Sequence, residues 1–161
     1  MPTTELFVLL LLLVANSAPV LFRLALGERW MRPLDGGRIF IDGKPLFGPS
    51  KTLTGLLAAM LASTLLALLL GLGWRVGLLI GGFAMIGDLF SSFVKRRIGL
   101  PSSAKALLLD QVPESLFPLM VCAPLLEFSW IQVLLLTLAF LVLELLLSRL
   151  AFHLGIRQRP Y

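Results

Sequence analysis

The sequence predicts an all-α integral membrane protein that crosses the bilayer five times. Hydrophobic residues fill 58% of its 161 positions and charged residues only 14%. Soluble domains hold roughly 45–50% and about 25% of these classes, and a chain this short has too little interior to hide the excess. Mean hydropathy is +0.94, and the apolar residues fall in long runs separated by short segments that carry most of the charge.

The first run, Leu6–Leu26, has the length of about 20 residues that a helix needs to cross hydrocarbon. No basic residue precedes it, so it reads as a retained span rather than a leader, although Ala15-Asn16-Ser17-Ala18 resembles a cleavage site. The second and third runs are Leu53–Leu70 and Trp74–Val94. The fourth, Val112–Phe128, is shorter and holds three prolines. Pro113 suits a helix start, whereas Pro118 and Pro124 predict kinks. The fifth is Ile131–Phe152. The chain reads as one membrane domain, 1–161, with cytoplasmic loops at about 27–51 and 95–111.

Charge sets the expected orientation. Of 14 Lys and Arg, only Arg75 falls in a connection on the far side; Arg29, Lys105, Arg157 and Arg159 are among the others. By the positive-inside rule the two long loops and the C-terminus face the cytoplasm and the N-terminus faces out. The expected location is the cell membrane, with the working face cytoplasmic.

Several polar groups exceed what spanning a membrane requires. Asp88 sits in MIGDLFSSFVKRR near the end of span three, where an acid is costly and usually functional. Asp88, Ser92 and Lys95 share one helical stripe with Gly77 and Gly81, whose bare surface admits another helix or an acyl chain. A local Asp88–Lys95 ion pair is the simpler alternative. Asp110-Gln111 precedes Pro113 at the entrance of span four and suits an N-cap, a role compatible with metal binding. Two carboxylates among Lys and Arg on one membrane face suit Mg²⁺ and a polyphosphate.

The segment DGKPLFGPSKT, residues 42–52, resembles a phosphate loop in composition. It is not a P-loop: Pro49 and Ser50 separate Gly48 from Lys51-Thr52, and no strand precedes it. Ser50 or Thr52 can cap the start of span two, leaving N–H groups that attract anions. Asp35 and Asp42 read as solvent-loop acids that form turns beside Gly36-Gly37 and Gly43. Glu144, inside span five, suits a substrate contact, a proton carrier or a partner for a neighbouring helix. Glu127 reads as solvated, and interfacial placement and phosphate contact suit His153 equally. Cys122 reads as an apolar packing residue. A single His and a single Cys leave catalytic triads and zinc sites without support.

Three blocks in order, DGGRIFIDGKPLFGPSKTLTG (35–55), GDLFSSFVKRRIGL (87–100) and LLLDQ (107–111), resemble the CDP-archaeol synthase family, relatives of the CDP-diacylglycerol synthases. Asn16, Ala18 and Pro19 in span one and the closing HLGIRQRPY extend the resemblance. It implies a five-helix bundle with a cytoplasmic pocket open toward lipid. It also implies Mg²⁺-dependent transfer of CMP from CTP to a lipid phosphate, giving a CDP-lipid and pyrophosphate. Carried over by position, Asp88 and Asp110 handle metal and phosphate, with Lys95 beside them in catalysis. Ser92, Arg96, Arg97 and Gln111 hold phosphate, while Lys44, Ser50, Lys51 and Thr52 come from the loop that covers the nucleotide. The expected partners are CTP, a lipid phosphate of ether or diacyl type and membrane lipids, with no nucleic acid. Thr52-Leu53-Thr54 departs from the family's usual Thr-Trp-Arg, and the stretches Pro101-Ser102-Ser103 and Val112-Pro113-Glu114-Ser115 also differ. The alternatives are a membrane protein that binds lipid or nucleotide without turnover and a small transporter subunit.

Overall fold

The computed structural model describes residues 2–27, 30–102, 104 and 106–153. Arg29, Lys105, Arg157, Arg159 and the tail after His153 lie outside the described residues, as does the side chain of His153. Among the described residues five helices follow in chain order: α1 (Pro2–Leu26), α2 (Leu53–Leu69), α3 (Trp74–Arg97), α4 (Gln111–Leu126) and α5 (Trp130–His153). Three are long and apolar enough to cross a membrane: Thr3–Leu26 with mean hydropathy 2.2, Trp74–Arg97 with 1.7 and Trp130–Leu150 with 2.4. The 17 residues of α2 and 16 of α4 reach about 24–26 Å at the α-helical rise, short of the roughly 30 Å hydrocarbon layer.

Large apolar side chains point outward, Leu61 and Leu65 on α2 and Leu134 and Leu138 on α5 among them. That inversion suits a chain whose solvent is lipid. Hydrocarbon gives helices no hydrophobic reason to associate, so contact comes from close packing of small residues. The buried face of α2 is therefore Gly55, Ala58, Ala59, Ser63 and Ala67. It lies against Gly77 and Gly81 of α3: a Cβ on Gly77 would stand 2.5 Å from the Ser63 carbonyl, and one on Gly81 would overlap the Ser63 hydroxyl. The glycine stripe expected to admit a helix or an acyl chain admits α2. Val8, Leu11, Ile80, Leu119, Cys122 and Phe140 fill the core further along, so Cys122 is the packing residue its sequence suggests.

Two element ends differ from expectation. Helix α3 runs through Arg97, so Lys95, Arg96 and Arg97 form its last turn rather than the start of the loop. There their charges meet the negative helix end. Asp110 occupies the N-cap position of α4 but has helical dihedrals (φ −80°, ψ −55°) and makes no capping hydrogen bond; both its oxygens are used elsewhere.

At the start of α2, Thr52 rather than Ser50 is the cap. Its backbone is extended (φ −121°, ψ 149°) and its hydroxyl accepts from Gly55 N at 3.1 Å. Thr52→Ala is expected to lower stability by about 1 kcal/mol, read as a lower unfolding temperature in detergent. Ser63, Thr64 and Thr137 each donate to the carbonyl four residues back in their own helix, at 2.6, 2.6 and 2.9 Å. Their polar atoms are satisfied within their own helices.

Candidate active site

The loop between α1 and α2 folds as a compact flap. Antiparallel bridges join Pro33 to Thr52 and Ile39 to Pro45. The Arg97 guanidinium holds the flap onto the end of α3. It lies 4.8 Å from the ring centroids of both Phe40 and Phe93, donates to the Pro45 carbonyl at 2.5 Å and pairs with Asp42 at 3.2 Å. In return Lys44 Nζ donates to the Arg97 carbonyl at 2.9 Å, a cation on the exposed end of a helix. Asp42 also accepts from Lys44 N at 3.1 Å. Lys44 and Arg97 are thus occupied in fastening the flap.

Asp35 is not the solvent-loop acid its sequence suggests. It is buried, with 6% of its surface exposed. One oxygen accepts from Gly37 N at 2.9 Å and the other from Phe47 N at 3.0 Å and Gly48 N at 2.9 Å. Burial alone would raise its pKa, but the N–H groups of Gly48, Phe47 and Gly37 together hold it below the ordinary carboxylate value. A depressed folded pKa contributes stability that is present above the unfolded value, about 3.9, and is lost as pH falls through the folded one. Hydrogen exchange at the Phe47 and Gly48 amides is therefore expected to stay slow at pH 4 and accelerate only below it.

Beneath the flap lies a cavity of about 650 Å³ bounded by all five helices and the flap. Lys51, Asp88, Lys95, Asp110, Gln111 and Glu114 line its polar end; Phe140, Leu147 and Leu13 line an apolar part toward α1 and α5. Lys51 Nζ meets both Asp88 oxygens at 2.5 and 2.6 Å. Lys95 Nζ lies 2.6 Å from Asp110 Oδ1 and donates to the Ala104 carbonyl at 2.9 Å. Asp110 Oδ2 accepts from Ala106 N at 3.0 Å. Oδ1 is buried and, despite the nearby ammonium, lies outside hydrogen-bonding geometry. The local Asp88–Lys95 pair considered from the sequence is absent; each residue pairs across the fold.

Asp88 and Asp110 line one cavity, and one glycine seats their helices together. At Gly87 the α3 backbone sits directly on the first turn of α4, where a Cβ would overlap the Pro113 carbonyl. Asp88 follows Gly87, and Glu114, in the α4 turn that Gly87 touches and one helical turn (i, i+4) from Asp110, lines the same cavity. Gln111 Oε1 accepts from Leu108 N at 3.0 Å, bracing the left-handed Leu108 (φ 67°) just before α4.

Of the candidate residues, Asp88, Asp110, Lys95, Lys51, Ser50, Thr52 and Gln111 line the one cavity. Lys44, Ser92, Arg96 and Arg97 do not. Ser92 is 2% exposed inside the packing, and Arg96 is 4% exposed beneath the flap, close to Gly48. Sequence reading missed Glu114, Arg23, Asn16 and Ser148 as site candidates; with Glu144 they stand on the cavity wall. For Glu114 a signal was present: an acid inside an apolar helix, one turn from another acid.

A sequence model described as CarS-like CDP-archaeol synthase matches residues 72–161. The CDP-archaeol synthase of Hyperthermus butylicus is 37% identical over 117 residues, covering 69% of this chain and 67% of that protein. That of Thermofilum pendens is 34% identical over 161 aligned positions, covering 92% of this chain and 76% of the relative. A solved structure of an intramembrane enzyme for archaeal membrane lipids biosynthesis superposes with a TM-score of 0.74 at 30% identity, over 88% of this chain and 90% of the other. With matches this long, the chain belongs to the CDP-archaeol synthase family.

Proposed function

We propose that the protein is a multi-pass enzyme that transfers CMP from CTP to a lipid-linked phosphate, making a CDP-lipid. The observation that carries this reading is the cavity itself. Two lysine–carboxylate pairs from three separate chain segments stand at its polar end, and its apolar part opens among membrane helices. A polar nucleotide and a lipid acceptor need such a junction.

All five helices enter the bilayer, α2 and α4 obliquely or with local thinning. The N-terminus faces out, and the flap end faces the cytoplasm of the cell membrane. The gathering of Arg32, Arg38, Lys44, Lys51, Lys95, Arg96 and Arg97 at that end, against Arg75 at the other, supports this orientation.

Chemically, a lipid phosphate oxygen attacks the α-phosphorus of CTP in line. The new P–O bond forms as the bond to the β-phosphate bridge breaks, and pyrophosphate leaves. The acceptor is already ionised near neutral pH and needs no strong base. Lys51 and Lys95 exchange their carboxylate partners for phosphate oxygens and neutralise the charge gathered there, so catalysis is positioning and electrostatics. Mg²⁺ fits the residues present. Asp88 and Asp110 supply hard oxygen donors to one cavity, each now facing a lysine that a bound cation would displace. Among the described residues no group of three or more His, Cys, Asp or Glu forms a protein-only metal cage; Mg²⁺ usually takes one or two carboxylates and completes its shell with phosphates. When bound, it supplies charge neutralisation at the leaving pyrophosphate.

The test is transfer of α-labelled CTP to a panel of lipid phosphates by the detergent-purified protein, with and without Mg²⁺. Ether-linked and diacyl acceptors run side by side identify the lipid class. Labelled lipid is the expected product. CTP binding with no transfer to any acceptor overturns catalysis in favour of a silent binding protein.

A further inference from the structure

We propose that Asp35 is a positioning residue that sets Lys51 in the cavity by clamping the backbone of the 48–51 turn; this rests on the nucleotide reading above. Asp35 touches nothing in the cavity. Its two oxygens draw together chain separated by twelve and thirteen residues, accepting from Phe47 N and Gly48 N as well as from Gly37 N. The clamp passes directly to Lys51. Gly48, whose N–H Asp35 holds, gives its carbonyl to Lys51 N at 3.2 Å, and Leu34, which precedes Asp35, donates to the Lys51 carbonyl at 2.7 Å. Both backbone groups of Lys51 are thus fixed by neighbours of one carboxylate, and its Nζ projects onto Asp88. Gly48 has φ +96°, and a Cβ there would stand 2.9 Å from the Ser102 hydroxyl. Ser102 in turn donates to Ser50 Oγ at 3.3 Å. The turn is held from below by Asp35 and from the side by the second loop.

A carboxylate suits this position because the environment offers only donors. Both oxygens accept, and each N–H finds a lone pair. Asparagine presents one oxygen and one amide nitrogen of nearly the same shape. Its NH₂ would face backbone N–H groups, leaving buried donors unsatisfied on one side of the clamp. The defect would enter through the turn, and nucleotide affinity would fall because the Lys51 ammonium no longer stands where the phosphate arrives.

Two measurements on the full-length protein test this. The first is amide hydrogen exchange across residues 47–51 in wild type and Asp35→Asn, which needs no ligand and stands even if CTP proves not to bind. Faster exchange at Phe47, Gly48 and Lys51, with α3 and α5 unchanged, is expected; unchanged exchange in the turn overturns the clamp. The second is the Kd for CTP in wild type, Asp35→Asn, Lys51→Met and the double variant. Asp35→Asn is expected to weaken binding roughly 10-fold or more, as loss of hydrogen bonds to a charged group does. In the Lys51→Met background the same change is expected to alter Kd by less than about 2-fold, because the two residues act as one unit. Full effects that multiply in the double variant overturn the route through Lys51. Should Asp35→Asn not fold, Gly48→Ala strains the same turn from its left-handed glycine and replaces it in both measurements. No CTP binding by wild type, with the turn still loosened by Asp35→Asn, refutes the nucleotide reading and leaves the clamp standing.

Discussion

Asp88→Asn and Asp110→Asn are each expected to lower CDP-lipid formation by roughly 100-fold or more while the folded protein still accumulates in membranes. The size follows from what each carboxylate faces. Asp88 holds Lys51 through both oxygens, and Asp110 faces Lys95 with one oxygen while the other receives the Ala106 amide. Asparagine removes the negative charge that would face a cation in the loaded site and turns a donor toward an ammonium group. Removal of one preorganised charge-stabilising group costs about 10²–10³ in turnover in sites of this kind. Initial rates with saturating CTP and lipid measure it, with detergent chromatography as the control for folding. Near-normal rates from both variants would sink the assignment of the cavity as the active site.

Gly81→Ala and Gly87→Ala are expected to destabilise the bundle by about 1–3 kcal/mol or more, whereas Gly82→Ala, one residue from the first, is expected to be neutral or mildly stabilising. A methyl group on Gly81 would overlap the Ser63 hydroxyl and stand 2.8 Å from Met60 Cα; on Gly87 it would collide with the Pro113 carbonyl and stand 2.7 Å from Glu114 N; on Gly82 it meets nothing within 4 Å. Backbone on the far side cannot swing away as a side chain does, so whole helices must separate. Gly82→Ala instead gains the helix propensity that glycine lacks, about 0.8–1 kcal/mol in soluble helices. Thermal inactivation in detergent ranks the three. Gly87→Ala carries an added signature. It pushes the first turn of α4, with Asp110 and Glu114, away from Asp88, so its surviving folded fraction should also lose specific activity, which Gly81→Ala should retain. Equal stability for all three would show that the helices do not pack as described.

The helices were legible in the sequence because hydrocarbon imposes a one-dimensional rule. A span must be apolar for a minimum length, and cations stay out of the layer. That rule located all five helices closely and marked Asp88 as an acid that costs too much to be idle. It misjudged the ends. The cations of Lys95-Arg96-Arg97 read as loop because they are polar, yet a helix C-terminus welcomes them, and α3 continues through Arg97. Asp110 read as a cap because Asp caps well, but Lys95 and the Ala106 amide compete for its oxygens and win. The loop acids Asp35 and Asp42 looked alike from sequence, since both precede glycine. Only the folded flap, closing residues 47 and 48 over one of them, makes Asp35 buried and leaves Asp42 at the surface with Arg97.

By itself, then, the sequence determined the class of environment, the helices and their order, the end of the bundle where charge collects, and Lys51, Asp88, Lys95 and Asp110 as candidates for one site. Tertiary structure alone decided the partners, Lys51 with Asp88 across 37 residues and Lys95 with Asp110, and brought Glu114 to the same cavity. The physical reason is that periodicity reports which residues share a face but not which face lies opposite. Opposition is set where glycine lets two backbones touch, at Gly81 against α2 and Gly87 against α4, and those contacts bring distant charges within bonding distance.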